Sequence, residues 1–306
     1  MRTSPPEVAF LAAPAVIDLE AIEADVAILG VPHGVPYPNP GATSGCAAAP
    51  SAIRARSLRI ARFRGHWDFD LDGPMLPADG LRLVDAGDVP GAAGDGSGNT
   101  ARATAAVEAL LAAGVVPICL GGDDSVPIPV LRAWAGRGPL TVLQVDAHLD
   151  FRDEVHGIRD GYSSPMRRAS EMDHVERIVQ VGLRGVGSAR PSDVEDARRA
   201  GNVLVTAADL AARGAGWVLG QLPETPVFVA LDLDGLDPSV APAVSAQTPG
   251  GIGWRELDGL LAGIGPRLAG AAITELVPEL DPDGRTAYAA ARIACRLAGG
   301  LLPQPD

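Results

Sequence analysis

A chain of 306 residues suits one large α/β domain with a single core. Its formal net charge of −13 excludes the basic footprint that nucleic-acid binding requires and favours cationic ligands through long-range attraction. Cys46, Cys119 and Cys295 form neither a disulfide framework nor a Cys-x-x-Cys zinc motif.

Asp18, Glu20 and Glu23 interrupt the apolar N-terminal region, a poor signal peptide, and no run approaches membrane-spanning length. The cytoplasm is the expected location, with no membrane partner. The first strand is predicted over 26–31, followed by a Pro- and Gly-rich loop over 32–40 of the kind that lines a site. Pro50-Ser51 opens a helix carrying Arg54, Arg56, Arg59, Arg62 and Arg64, read as a solvated or subunit-facing surface. Residues 81–85 read as a strand. Residues 91–99 read as a flexible Gly-rich connection that lacks the Lys of a phosphate-binding loop. Thr100 is placed to cap a helix reaching 113.

An apolar strand over 115–120, with Cys119 as a small core residue, runs into Gly121-Gly122-Asp123-Asp124-Ser125. Pro127 begins a helix near 130–135. The next apolar run, 140–145, has the composition of a central strand covered on both faces. It ends in Asp146-Ala147-His148-Leu149-Asp150. In extended chain, positions i, i+2 and i+4 share a face, so Asp146, His148 and Asp150 would converge. Burying three such groups is costly without a compensating charge, and a bound cation supplies one. Residues 151–164 read as irregular and 165–172 as the start of a helix. Short strands follow at 178–181 and 203–205, with helices near 207–212 and 254–262. The strand over 227–231 leads into Asp232-Leu233-Asp234, with Asp237-Pro238 beyond. A late strand over 271–276 contains Glu275, and an Ala-rich helix over 286–301 closes the chain.

Strands alternating with helices predict a three-layer α/β/α fold on a doubly wound, mainly parallel sheet. No linker, repeat or boundary divides residues 1–306. If the strands are parallel, their carboxyl ends share one edge, where open α/β sheets place their sites. That edge would gather Asp124, Asp146, His148, Asp150, Asp232 and Asp234 as metal ligands. An Asp after a strand is by itself an ordinary turn or cap residue; three such segments together point to a metal site. No Gly-x-Ser-x-Gly elbow is present.

The order Gly-Gly-Asp-x-Ser, Asp-Ala-His-x-Asp and Asp-x-Asp-x-x-Asp-Pro resembles the ureohydrolase family of arginases, agmatinases and guanidino-acid hydrolases. The likeness extends to Gly30-Val31-Pro32, to the 41–54 segment with Pro50-x-x-Ile53-Arg54, to Asp85-Ala86-Gly87-Asp88 and to Glu275-Leu276-Val277-Pro278. It implies hydrolysis of a guanidino compound, agmatine or a guanidino acid, to urea and an amine. Two Mn²⁺ ions per chain are implied, with Mg²⁺ or Ni²⁺ as the other candidates, in a homo-oligomer of three or six subunits. It assigns Asp146 and Asp150 to one ion, His148 to the other, Asp232 and Asp234 to complete the pair, and Glu275 to the guanidinium, whose planar fork suits a carboxylate.

Two positions depart from the family pattern. Asp124 stands where the family has His, giving five carboxylates and one imidazole, a set suited to Mn²⁺ or Mg²⁺; alternatively Asp124 caps a helix and one ion is lost. Tyr162 stands where many members have a proton-shuttling His, and a phenol shuttles poorly near neutral pH. His156, on the same loop, is the candidate replacement. That loop also offers Arg152 and Arg159 to a substrate carboxylate, and Asp153, Glu154 and Asp160 to an amine. The alternatives are hydrolysis of a different amidine or amide, and a metal-poor binding or regulatory relative.

Overall fold

The computed structural model describes residues 1–38, 45–77 and 80–302. Its centre is an eight-stranded sheet. In chain order the strands are β1 Val26–Val31, β2 Leu83–Asp88, β3 Val116–Gly121, β4 Leu140–Val145, β5 Val175–Leu183, β6 Val203–Thr206, β7 Val227–Asp232 and β8 Leu268–Thr274. Across the sheet they run β2-β1-β3-β8-β7-β4-β5-β6, and every pairing is parallel. The mainly parallel expectation resolves to an entirely parallel sheet.

The near-continuous apolar strands are explained by burial on both faces. Along β7, Val227, Val229 and Leu231 enter one core, while Phe228 and Ala230 enter the other. The first core is completed by helices α1 Ala49–Ala61, α6 Ala207–Arg213, α7 Ala215–Leu219, α8 Trp254–Ile264 and α9 Arg285–Gly299. The second is completed by α2 Gly96–Ala112, α3 Pro127–Arg132, α4 Pro165–Ala169 and α5 Pro191–Arg199. Three layers result. Among the described residues, no helix is long and apolar enough to cross a membrane.

Several local expectations are corrected. Helix α2 starts at Gly96, inside the stretch read as a flexible connection. Its cap is Asp95, whose side chain accepts from the Gly98 N–H, whereas Thr100 lies within the helix and donates to the Gly96 carbonyl. Strand β2 continues to Asp88, beyond the expected 81–85, because parallel pairing with β1 carries past Asp85. Strand β8 stops at Thr274, leaving Glu275 in the following loop. In α1, Arg54 is buried rather than solvated. The expected 32–40 loop and the 41–54 segment fall partly outside the described residues, at 39–44.

Candidate metal centre

Strands β3, β8, β7 and β4 are consecutive across the sheet, so the loops leaving their carboxyl ends are neighbours. They carry Asp124, Glu275, Asp232 with Asp234, and Asp146 with His148 and Asp150. Oxygens of Asp124, Asp146 and Asp150 lie within 4.8 Å of one another, as do ligand atoms of Asp146, His148 and Asp234. Asp146 belongs to both groups, and its side chain is fully buried.

The convergence is not the shared face of one extended segment. Strand β4 ends at Val145, and Asp150 adopts a left-handed φ of 45°, which costs Asp less than most residues. The turn is held by the Asp150 carbonyl, which accepts from the Met166 and Arg167 N–H groups. Asp146 therefore meets His148 on one side and Asp150 on the other. After β7, the Asp234 N–H donates to Asp232 Oδ1 at 2.7 Å, inside a short turn. Glu275 also has a left-handed φ, 67°, a strained backbone of the kind that persists at functional sites.

Outer partners fix the carboxylates. Thr274 Oγ1 donates to Asp124 Oδ1 at 2.6 Å. Gln144 Nε2 donates to Asp146 Oδ2 at 2.7 Å, Gln180 Nε2 to Gln144 Oε1 at 2.6 Å, and Asn202 Nδ2 to Gln180 Oε1 at 2.9 Å. This amide chain crosses from β4 through β5 to the residue before β6. Glu275 Oε1 accepts from the Asp124 N–H at 2.9 Å, and Oε2 lies 3.7 Å from the Cys46 thiol. Asp124 caps no helix, since α3 begins three residues later without a side-chain cap. Arg184 binds the carbonyls of Gly182, Asp234, Gly235, Leu236 and Thr248, tying the loop after β7 to β5.

Electrostatics describe what the cluster lacks. Asp124, Asp146, Asp150, Asp232, Asp234 and Glu275 are each at most 6% exposed. Among the described residues, no arginine side chain pairs with any of them; the cationic partner is His148, whose Nδ1 is 3.0 Å from Asp234 and 3.5 Å from Asp146. Hydrogen bonds to Asp146 and Asp234 hold that imidazole up to about 10. Burial, then the Asp146 charge, pushes the Asp234 carboxyl up to about 6. Burial, then the Asp123 charge, pushes Glu275 up to about 8. Asp124, Asp150 and Asp232 are raised well above the ordinary range, first by burial and then by their acidic neighbours. So many buried carboxylates against one imidazole carry a large desolvation penalty. An oxygen-rich donor set of this charge fits a pair of divalent cations.

The cluster floors a cavity of about 400 Å³, also lined by Tyr162, Ser163, Val186, Gly187, Ser188, Ser245 and Ala246. Gly187 is required, since a Cβ there would meet the His148 ring. Burial pushes the Tyr162 phenol up to about 12, so it keeps its proton at neutral pH. Its ring lies 4.3 Å from that of Tyr37, whose hydroxyl accepts from the Ser163 N–H. The remaining loop residues are not gathered here. His156 is exposed with its ring 6.4 Å from Tyr37. Asp153 pairs with Arg159 and Arg168, and Asp160 forms a two-toothed pair with Arg132. Arg152 donates to the Ser188 carbonyl and lies 3.5 Å from Asp193. None of these five lines the cavity.

Sequence reasoning missed Tyr37, Cys46, Gln144, Thr274 and Arg184. Gln144 and Thr274 carried a signal, a polar residue inside an apolar strand, and Tyr37 lies in the 32–40 loop read as one that lines a site. The others come from distant loops whose approach depends on tertiary packing.

Comparison with known proteins agrees with the geometry. A model of the Arginase family matches residues 24–299. Proclavaminate amidinohydrolase of Streptomyces clavuligerus is 32% identical over 286 residues, covering 89% of this chain and 87% of that protein. Mitochondrial agmatinase of Gallus gallus is 30% identical over 278 residues, 88% of this chain and 78% of that protein. A solved structure of the Streptomyces clavuligerus proclavaminate amidino hydrolase has a TM-score of 0.86 at 28% identity, covering 96% of each chain. The parallel sheet, the order of the acidic segments and these matches over most of the chain place it in the arginase, or ureohydrolase, family of hydrolases acting on carbon–nitrogen bonds.

Proposed function

We propose that the chain is a single-domain binuclear manganese hydrolase. It would cleave a C–N bond of a linear guanidino compound, agmatine or a guanidino acid, to urea and an amine. The observation that carries this reading is the pair of ligand groups joined by the buried Asp146, whose other members line one cavity. Asp124, Asp146, Asp150, Asp232, Asp234 and His148 would hold the ions. When bound, a metal pair lowers the pKa of a water and offsets the charge that develops on attack.

The chain's own groups handle the substrate. Glu275 is buried beside the ligands without a cationic partner, so a planar guanidinium supplies the charge it lacks. Water adds to the guanidinium carbon, one C–N bond breaks, and the departing nitrogen takes a proton. We assign that proton's path to Asp150, which is buried in the cluster and lines the cavity. Tyr162 contributes a fixed hydrogen-bond donor at the wall. Asp124 and Tyr162, both departures from the usual pattern, favour an alternative in which the substrate is another amidine on the same scaffold. A homo-oligomer of three or six subunits is expected of such a chain, and the exposed Trp67 and Phe69 are candidates for its contacts.

The test is metal content followed by Mn²⁺-dependent urea release across agmatine, guanidinobutyrate, guanidinopropionate and simple amidines. Two ions per chain with urea from one guanidino compound is the expected result. A chain that holds no divalent ion would refute the reading. Ammonia or an amide product without urea would move it to the alternative substrate.

A further inference from the structure

The two ligand groups are not chemically alike. One, Asp124 with Asp146 and Asp150, offers oxygen alone; the other, Asp146 with His148 and Asp234, includes an imidazole nitrogen. We infer that the two metal positions are selective for different ions: the oxygen-only position for Mg²⁺ or Mn²⁺, the imidazole position for borderline ions such as Zn²⁺ or Co²⁺. The inference rests on the binuclear reading above and adds which residues sort the metals.

Three observations support it. The residues private to the oxygen-only group, Asp124 and Asp150, are two carboxylates, whereas those private to the other are one carboxylate and one imidazole. The first position is therefore one unit more negative when His148 is neutral. Hard oxygen donors of high charge suit hard cations, while imidazole raises affinity for Zn²⁺ and Co²⁺ over Mg²⁺. Second, the Thr274 hydroxyl donates to Asp124 Oδ1 at 2.6 Å. That outer contact orients the carboxylate, as supporting hydrogen bonds do at metal sites. Third, Asp124 is 4% exposed and serves no helix end, salt bridge or turn that would otherwise account for a buried carboxylate.

Metal-stripped full-length protein would be equilibrated with limiting Zn²⁺ and millimolar Mg²⁺, freed of unbound metal and analysed for both elements. Parallel calorimetric titrations with Zn²⁺ would resolve the two steps. The expected result is one Zn²⁺ and one Mg²⁺ per chain, with the second Zn²⁺ step weakened by Mg²⁺. Asp124→His should tighten that second step by about tenfold or more and give two Zn²⁺ per chain in the mixture. Thr274→Val removes the outer donor and should weaken Mg²⁺ about tenfold while leaving the first Zn²⁺ step unchanged. Thr274→Val also keeps the test available should Asp124→His not fold. Two Zn²⁺ per wild-type chain, or one Zn²⁺ with no Mg²⁺, overturns the sorting and leaves the existence of metal sites intact. Retention of neither ion overturns the binuclear reading itself.

Discussion

Two of the places where the described residues bury carboxylates treat the charge in opposite ways. Between α1 and β2, Arg54 is 1% exposed and donates Nε and Nη2 to Asp85 at 2.9 and 3.0 Å. It also reaches Asp88 at 2.5 Å and the Gly87 carbonyl at 3.0 Å. Asp85 accepts the Phe10 and Gly87 N–H groups as well. Charge and hydrogen-bonding capacity close on themselves, and the result braces the N-terminal segment, α1 and β2. Beyond the carboxyl ends of β3, β8, β7 and β4, the buried acids share one imidazole and line a cavity. Here the buried acid with its guanidinium belongs to the frame, and the clustered acids without one are a place for something to bind. Burial alone does not distinguish them.

The sharpest way to break this contrast is to change one acid in each place. Asp146→Asn weakens both ligand groups at once, and urea release should fall by about 10⁴-fold, the loss of most of the metal pair's several kcal/mol. Bound metal should drop below one ion per chain. Arg54→Met leaves the buried Asp85 without its cation and the partly exposed Asp88 without its partner, and should destabilise the fold by about 3–5 kcal/mol, read from the urea midpoint. Metal content of the folded fraction should not change. Loss of metal from folded Arg54→Met protein would show that the two clusters are not separate.

Proton linkage sharpens the same contrast. Burial raises the Glu275 carboxyl from 4.5 to about 8 and the Asp234 carboxyl from 3.8 to about 6, and His148 is held up to about 10 by Asp146 and Asp234. Each group binds its proton more tightly folded than unfolded. The stability it contributes is fully present below its unfolded pKa and is lost as pH rises through its folded pKa. Metal-stripped protein should therefore lose thermal stability steadily from about pH 5 to pH 8. A divalent ion competes with those protons, so Mn²⁺ should stabilise more at pH 8 than at pH 5.5. A melting temperature of the stripped protein that climbs with pH over this range would contradict the unpaired character of the cluster.

How much of this was legible beforehand depends on which level of structure places each residue. The strand-ending acids were readable because a parallel sheet puts every strand's carboxyl end on one edge, so Asp146 and Asp232 needed only their strands identified. Their neighbours in space followed from strand order, which places β8 between β3 and β7 and thereby brings Glu275 beside Asp124. Arg54 was misread because helical spacing grouped it with Arg56 and Arg59, although its partners lie on β2, far away in sequence. The loop charges lie outside the cavity for a related reason. Proximity to Asp150 along the chain suggested substrate contact for Asp153, Arg159 and Asp160, but a loop turning back on α3 and α4 meets Arg132 and Arg168 first. Tyr162 alone among the loop's expected residues lines the cavity, where the chain returns past Gly161; a Cβ at that glycine would strike the Tyr37 ring.

Two smaller effects follow from that difference between cluster and loop. Gln144→Leu would cut the amide chain at the hydrogen bond to Asp146, and metal affinity should weaken by about 10–100-fold with little change in melting of the metal-free protein. Arg159→Ala should do least. Its guanidinium is 57% exposed and faces Asp153, itself 54% exposed, at 3.1 Å, and exposed pairs contribute about 0–1 kcal/mol. Since Arg168 also holds Asp153 at 2.7 Å, the loop keeps its anchor when Arg159 is removed. KM for any guanidino substrate should stay within about twofold, because a side chain outside the cavity offers the substrate nothing that solvent does not. A large rise in KM confined to substrates bearing a carboxylate would mean that the loop swings inward on binding and that Arg159 exchanges Asp153 for the substrate.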